Sequence, residues 1–179
     1  MKRLISLLIV GLAYSTIGWA EDQSILVQGG WLHTPNSNYG DGGIGTVRAE
    51  HALITNQYGQ ITGLVDYSYH SPTSVYPEQG DSYGTFEGHS GLVGASYRVS
   101  KGKWASYLFG SLGWSEWAFN ESQSTKDAGI QVDADGGFSK KYGVGIDYKL
   151  SSRIYLNIEW SYFEVDIKKA TNHQKGAVA

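Results

Sequence analysis

The chain lacks cysteine altogether. An exported fold therefore cannot rely on disulfides and must be held by its own pairing. After residue 20 the chain also lacks an apolar run of the roughly 20 residues that a transmembrane helix needs. Nor is there an excess of basic residues, because 14 Lys and Arg stand against 17 Asp and Glu. This balance disfavours nucleic acid as a partner.

The first 20 residues have the pattern of an export signal. Lys2 and Arg3 form a basic start, an apolar run follows over 4–14, and Gly18 and Ala20 offer the small residues that a signal peptidase reads. The apolar run is shorter than a membrane anchor requires, which disfavours an uncleaved helix. We predict cleavage after residue 20. Residues 21–179 then form one domain, and removing Lys2 and Arg3 leaves 12 basic against 17 acidic residues, a formal charge of −5.

Strict alternation over 142–150 and 154–162 predicts two strands joined by a tight turn. In each strand one parity is apolar or aromatic and the other is polar or glycine. A soluble β-sandwich would bury the apolar face. However, each apolar row spans nine residues, close to the 9 to 11 or so that a tilted strand needs to cross a bilayer. Aromatic residues lie towards the row ends, as in a membrane girdle: Tyr142, Tyr148, Trp160 and Tyr162.

Seven strands are predicted in all, over 24–34, 43–54, 60–70, 88–100, 104–119, 138–150 and 154–167. Long polar connections (35–42, 71–87, 120–137, 168–176) alternate with short ones (55–59, 101–103, 151–153). This is the alternation of extracellular loops and periplasmic turns in outer-membrane barrels. Glycine-rich and tyrosine-rich composition with little proline suits the same class. We therefore predict an all-β, antiparallel, up-and-down transmembrane β-barrel.

Segments 88–99, 104–107, 142–148 and 154–162 resemble the Ail/Lom/OmpX family of small outer-membrane proteins in their glycine and tyrosine alternation, strand order and loop spacing. The resemblance implies an eight-stranded barrel in the cell outer membrane. It implies that the loops act at the cell surface in adhesion, invasion or resistance to serum complement, without catalysis and without a cofactor. The implied partners are outer-membrane lipid and lipopolysaccharide, and host surface proteins, matrix or complement regulators.

The family pattern ends with an eighth strand that closes on a terminal aromatic residue, whereas this sequence ends in Ala177-Val178-Ala179. Seven antiparallel strands leave two edges unpaired in lipid. The open alternatives are a truncated eighth strand beginning at 177–179, closure by N-terminal residues, and closure by another chain. We expect truncation.

Alternation predicts that a set of charged side chains faces the barrel lumen. A narrow barrel fills its interior with side chains, so we interpret this set as a structural salt-bridge network rather than a proton path or a catalytic pair. Its members are Arg48, Glu50, Asp66, Arg98, Asp147, Lys149 and Glu159.

Enzyme activity and metal binding have little support in the sequence. The five histidines match no zinc spacing. His70-Ser71 and His89-Ser90 lie near the extracellular rim, where a lipid A deacylase places a histidine and a serine nucleophile. Neighbouring residues of a strand point to opposite faces, so neither dipeptide forms such a pair alone. A lipid-modifying barrel enzyme and a secreted β-sandwich binding module are the alternatives to a surface-binding barrel.

The long polar loops are the predicted ligand-binding region, because loops on a rigid scaffold usually carry binding. Two of them, 71–87 and 120–137, are mainly acidic, and the last, 168–176, is basic. The candidate binding residues are Tyr76, Glu78, Asp81, Tyr83, Phe86, Glu121, Lys126, Asp127, Asp133 and Asp135.

Overall fold

The computed structural model describes residues 2–14, 23–33, 41–75, 82–123, 130–134, 136–151, 154–166 and 170–174. Within these residues no helix is long and apolar enough to cross a membrane. Ten strands are present: β1 Lys2–Tyr14, β2 Gln23–His33, β3 Gly42–Asn56, β4 Gly59–Val75, β5 Ser82–Lys101, β6 Trp104–Glu121, β7 Ile130–Ala134, β8 Gly137–Lys149, β9 Ile154–Asp166 and β10 Ala170–Gln174.

The seven predicted strands are β2 to β6, β8 and β9, each hydrogen-bonded antiparallel to the next. The predicted all-β, up-and-down barrel is confirmed, and the sandwich alternative is wrong because one sheet closes on itself. Strands β4 and β5 are longer than predicted. They pair beyond the predicted ends as far as Val75 and Ser82, so part of the expected loop over 71–87 is a hairpin.

The barrel closes through the N-terminal segment. β1 pairs antiparallel with β9 from Lys2 to Tyr14 and with β2 from Ser6 to Tyr14. The place beside β2 that we expected a truncated eighth strand to occupy is therefore taken by β1, and residues 177–179 lie outside the described residues. Backbone pairing explains this arrangement, because without β1 the strands β2 and β9 would each have one edge of unpaired backbone N–H and C=O groups. Closure by N-terminal residues, one of the open alternatives, is thus what the structure shows. Signal-peptide cleavage after residue 20 stays a prediction, and it would remove β1 and leave β2 and β9 unpaired on one side.

A second, two-stranded sheet is formed by β7 and β10, which pair antiparallel and lie in the connections that follow β6 and β9. Both strands fall in segments that we expected to be separate loops, 120–137 and 168–176. Asp133 is in register with Thr171, and Gln131 with His173. The prediction missed this sheet because each strand is only five residues long, too short for a clear period.

The barrel is apolar outside and polar inside. Outward side chains such as Val65, Val93 and Leu108 are more than half exposed, whereas Arg48, Asp66 and Glu159 are at most 1% exposed. Burying charge while exposing branched apolar side chains is unfavourable in water. In a bilayer the same arrangement is favourable, because lipid covers the outer face.

Candidate functional site

Arg48 lies at the centre of the lumen. It sits on β3 in register with Asp66 on β4, so the two side chains share the inner face of neighbouring strands. Its guanidinium donates to Asp66 Oδ2 at 2.9 Å and, across the barrel, to Glu159 on β9 at 2.7 and 3.3 Å. The charge also lies 4.4 Å from the ring centre of Phe109. A fully buried arginine therefore has two carboxylates and an aromatic face around it.

Lys141 on β8 binds the same two carboxylates from the opposite side. Its Nζ lies 3.3 Å from Asp66 Oδ2 and 3.4 Å from Glu159 Oε1, and the side chain is fully buried. Each of these carboxylates thus has two cationic partners. An ion network without water is stable only when nearly every charge is matched in this way.

The network continues towards the end of the lumen at which the short connections lie. Arg98 on β5 donates to Glu50 at 2.9 Å and to Asp147, and 18% of its side chain is exposed. Asn157 donates to Asp147 at 2.6 Å and to the hydroxyl of Tyr107 at 2.9 Å. Tyr107 in turn donates to Glu159 at 2.9 Å. Hydrogen bonds therefore join the two ion clusters into one.

Six of the seven predicted lumen residues come together in this network, and Lys149 does not. Lys149 has the inward parity of Lys141, but it is the last residue of β8 and is exposed at the barrel end. Sequence reasoning missed Lys141, Tyr107 and Asn157. The parity of Tyr142, which faces outward, was the signal that would have placed Lys141 inside.

An inner-face glycine makes room for this network. A Cβ placed on Gly145 would collide with the ring of Tyr107, which lies against it from β6. The absence of a side chain at Gly145 therefore leaves the space that Tyr107 occupies.

The end of the lumen nearer the long connections is apolar. Leu32, Ile44, Leu92, Trp117, Phe163 and Val165 form one buried cluster there together with Phe86. Phe86 was predicted to bind ligands from a loop, and this prediction is wrong. The residue belongs to β5, which begins at Ser82, and it is 6% exposed because it has the same inward parity as Ser90 and Leu92.

His70 is buried within this apolar end. Its ring stacks on Phe163 and Trp117, with ring centres 4.7 and 5.5 Å away. Its Nε2 lies 3.0 Å from Ser90 Oγ, and its Nδ1 has no hydrogen-bond partner among the described atoms. Each of the two His-Ser dipeptides thus contributes one residue to a cross-strand pair, which reasoning on each dipeptide alone missed.

Ser90 begins a row of buried hydroxyl groups across neighbouring strands. Its Oγ lies 2.7 Å from Ser115 Oγ, which lies 2.5 Å from Ser139 Oγ. All three serines are at most 1% exposed. The hydroxyls satisfy one another, and in the described structure no carboxylate completes a His-Ser-acid arrangement at His70 Nδ1.

Two aromatic belts surround the outer face. The ring centres of Trp104 and Tyr148 lie 4.6 Å apart in a tilted arrangement near the end with the short connections, and the rings of Tyr142 and Tyr162 stack 5.7 Å apart near the other end. Trp104 and Trp114 are ten residues apart on β6. This corresponds to about 25 Å across the membrane at a tilt of roughly 40°, which matches the apolar band of outer-membrane barrels. Trp114 faces outward and belongs to this belt, whereas Trp117 faces the lumen.

Four of the ten predicted ligand-binding residues lie within the part of the chain that the structure describes. Glu121 and Tyr83 belong to β6 and β5, and Asp133 belongs to β7. The other candidates lie outside the described residues: Tyr76, Glu78, Asp81, Lys126, Asp127 and Asp135. In the part of the chain that the structure describes, no three His, Cys, Asp or Glu residues are placed to hold a metal ion.

Comparisons with known proteins add little to this geometry. No protein-family model matches the sequence, and no curated protein matches it. A similar solved structure is the outer membrane protein OprG from Pseudomonas aeruginosa, with 6% sequence identity and a TM-score of 0.48. The similarity covers 91% of this chain and 95% of that one. The Ail/Lom/OmpX resemblance stays a prediction.

Proposed function

We propose that this protein is an outer-membrane barrel that presents its extracellular strands and loops for attachment to host surfaces or for resistance to serum complement. The observation that carries the proposal is the combination of an apolar belt outside with a side-chain-filled lumen inside. Such a barrel suits a bilayer and offers no wide aqueous path. The extracellular hairpin of β4 and β5 and the β7–β10 sheet are then the parts left to bind a partner.

Loop exchange tests this function. Residues 76–81 and 124–129 are replaced separately by glycine-serine turns, which leaves Phe86 and the lumen network unchanged. Each exchange should lower binding to host cells or serum factors, while the heat-dependent gel mobility of the barrel stays as in the parent chain. A matched control replaces the periplasmic turn at Gly102 by the same linker and should leave binding intact. Binding that survives both extracellular exchanges contradicts the proposal.

The pair of His70 and Ser90 favours a second candidate, a lipid-modifying enzyme. Both residues are buried, and within the described residues no carboxylate contacts His70 Nδ1. The enzyme is therefore the weaker candidate. Mass spectrometry of lipid A from expressing cells decides between the two. The surface-binding proposal predicts identical lipid A with the parent chain and with Ser90→Ala, and a modification lost in Ser90→Ala would favour the enzyme.

A further inference from the structure

The charges buried in the lumen do not balance. Within the described residues the ion pairs of the network join three cations with four carboxylates: Arg48, Arg98 and Lys141 with Glu50, Asp66, Asp147 and Glu159. Three positive charges against four negative ones leave a formal charge of −1 when every group is ionised. Lys149 is exposed and forms none of these ion pairs. A buried charge without a partner is costly, so the network needs one more positive charge.

The deficit lies at the end of the lumen nearer the short connections. The two carboxylates at the centre share two cations, whereas Glu50 and Asp147 share only Arg98 within hydrogen-bond distance. Glu50 Oε2 accepts from Arg98 at 2.9 Å. Glu50 Oε1 has no hydrogen-bond partner among the described atoms and lies 4.0 Å from Arg48 Nη1. Asp66 Oδ1 also has none, but the two central cations both contact Oδ2 of that carboxylate. The oxygen that most needs a cation is therefore Glu50 Oε1.

Two buried hydroxyl groups lie on the strands next to this oxygen. Thr62 on β4 and Ser96 on β5 are in register, and each is 3% exposed, so both side chains are on the inner face. Neither hydroxyl has a hydrogen-bond partner among the described atoms. Glu50 on β3 is in register with Leu64, the next inward residue of β4 after Thr62. Side chains in opposite and diagonal positions of this kind are within reach of one another. We call Glu50 Oε1, Thr62 Oγ1 and Ser96 Oγ the oxygen cluster.

The oxygen cluster is close to water. Each of its three residues is within six positions of a short connection, which joins β3 to β4 or β5 to β6. Arg98, which contacts Glu50, has 18% of its side chain exposed. Ser24, which donates to Glu50 Oε2 at 3.4 Å, is half-buried. A small ion can therefore enter from the mouth of the barrel.

We propose that the oxygen cluster binds one monovalent metal cation, Na⁺ or K⁺, which supplies the missing charge. Hard cations prefer oxygen ligands, and a single carboxylate with two neutral hydroxyls matches a single positive charge. A divalent ion is usually held by several carboxylates. Among the residues that the structure describes, no three His, Cys, Asp or Glu residues are placed to hold one. The proposal rests on the lumen network alone and does not depend on what the extracellular loops bind.

Sodium NMR relaxation of the full chain, folded in uncharged detergent, tests the site directly. NaCl is titrated into choline chloride at constant ionic strength, and the parent chain should bind one Na⁺ saturably, with KCl as competitor. Unfolding in urea should also need more denaturant in NaCl or KCl than in choline chloride, because the ion binds only the folded chain.

Three variants and one matched control sharpen this test. Glu50→Gln makes the network neutral, so it should fold, bind no Na⁺ and unfold alike in all three salts. Thr62→Val and Ser96→Ala should each weaken Na⁺ binding about tenfold. In choline chloride neither should destabilise the barrel, because each removes a buried hydroxyl that has no partner. Ser161→Ala removes another such hydroxyl, on β9, and should bind Na⁺ as the parent does.

The contrary outcomes are distinct. A parent chain that binds neither ion and unfolds alike in all three salts overturns the site, and leaves the barrel and its surface function standing. Equal Na⁺ binding by the parent, Glu50→Gln and Thr62→Val would mean an adventitious ion only. CaCl₂ that displaces Na⁺ at an equal concentration overturns the monovalent occupant.

Discussion

Lys141 and Lys149 share a strand and a face of that strand, yet only Lys141 is buried. The difference is position along β8, since Lys141 is at mid-strand and Lys149 at the end. At mid-strand the ammonium meets Asp66 and Glu159, whose negative charges are also shared with Arg48. At the end it meets water. Sequence parity assigns a side chain to a face, but depth along the barrel decides whether its charge needs a partner.

This contrast gives a matched pair of variants. Lys141→Met leaves two buried carboxylates with Arg48 as their remaining cation, so we expect a loss of about 3 to 5 kcal/mol of unfolding free energy, the usual cost of breaking a buried pair. Urea unfolding in phospholipid vesicles measures it. Lys149→Met should unfold at the same urea concentration as the parent. A small effect of Lys141→Met, or an equal effect of both variants, contradicts the network.

Much of the residue-level prediction came from alternation alone. All seven charged residues were assigned to the inner face by alternation, and six of them lie in the buried network, whereas Lys149 is exposed at the end of its strand. Phe86 was misassigned because the strand that contains it begins earlier than its sequence suggests. The His70 and Ser90 contact needed the register between β4 and β5, which pairs Ser68 with Ser90 and which no single strand reveals.

At the scale of elements, five of the seven predicted strands agree with the observed bounds within two residues, β4 and β5 are five to six residues longer at one end, and three further strands were not predicted. β7 and β10 are too short to show a period. β1 is apolar on both parities, so its sequence reads as the apolar core of a signal peptide rather than as a two-faced strand. β1 pairs with β2 and β9, whose backbone N–H and C=O groups would otherwise have no partner along one edge. This need arises only once the other seven strands have formed a sheet, so the sequence of β1 alone does not show it.

The role of β1 can be tested by deletion. Removing residues 1–20 takes away the backbone partner of β2 and β9, and each polar group left unpaired in hydrocarbon costs several kcal/mol. We expect a lower folded fraction in lipid vesicles. Appending a strand that alternates apolar and polar residues and ends in phenylalanine should restore folding. Equal, heat-resistant folding of the deleted and full chains contradicts the requirement for a strand at this position.

At the scale of the whole molecule, the distribution of polar and apolar residues in the barrel is the reverse of that in a soluble domain. Its charged residues form a connected core, its branched apolar residues face outward, and aromatic belts mark both ends of the apolar band. Eight strands enclose a lumen that side chains fill, which favours a scaffold over a channel.

The outer-membrane location is the central claim, and the gel mobility of the membrane fraction before and after boiling tests it most directly. A closed barrel resists detergent at room temperature and runs as a compact form, because its ladders have no open edge. We predict that the protein is recovered in the outer-membrane fraction and that boiling shifts its mobility. Recovery as a soluble periplasmic protein whose mobility does not depend on heating would contradict the account.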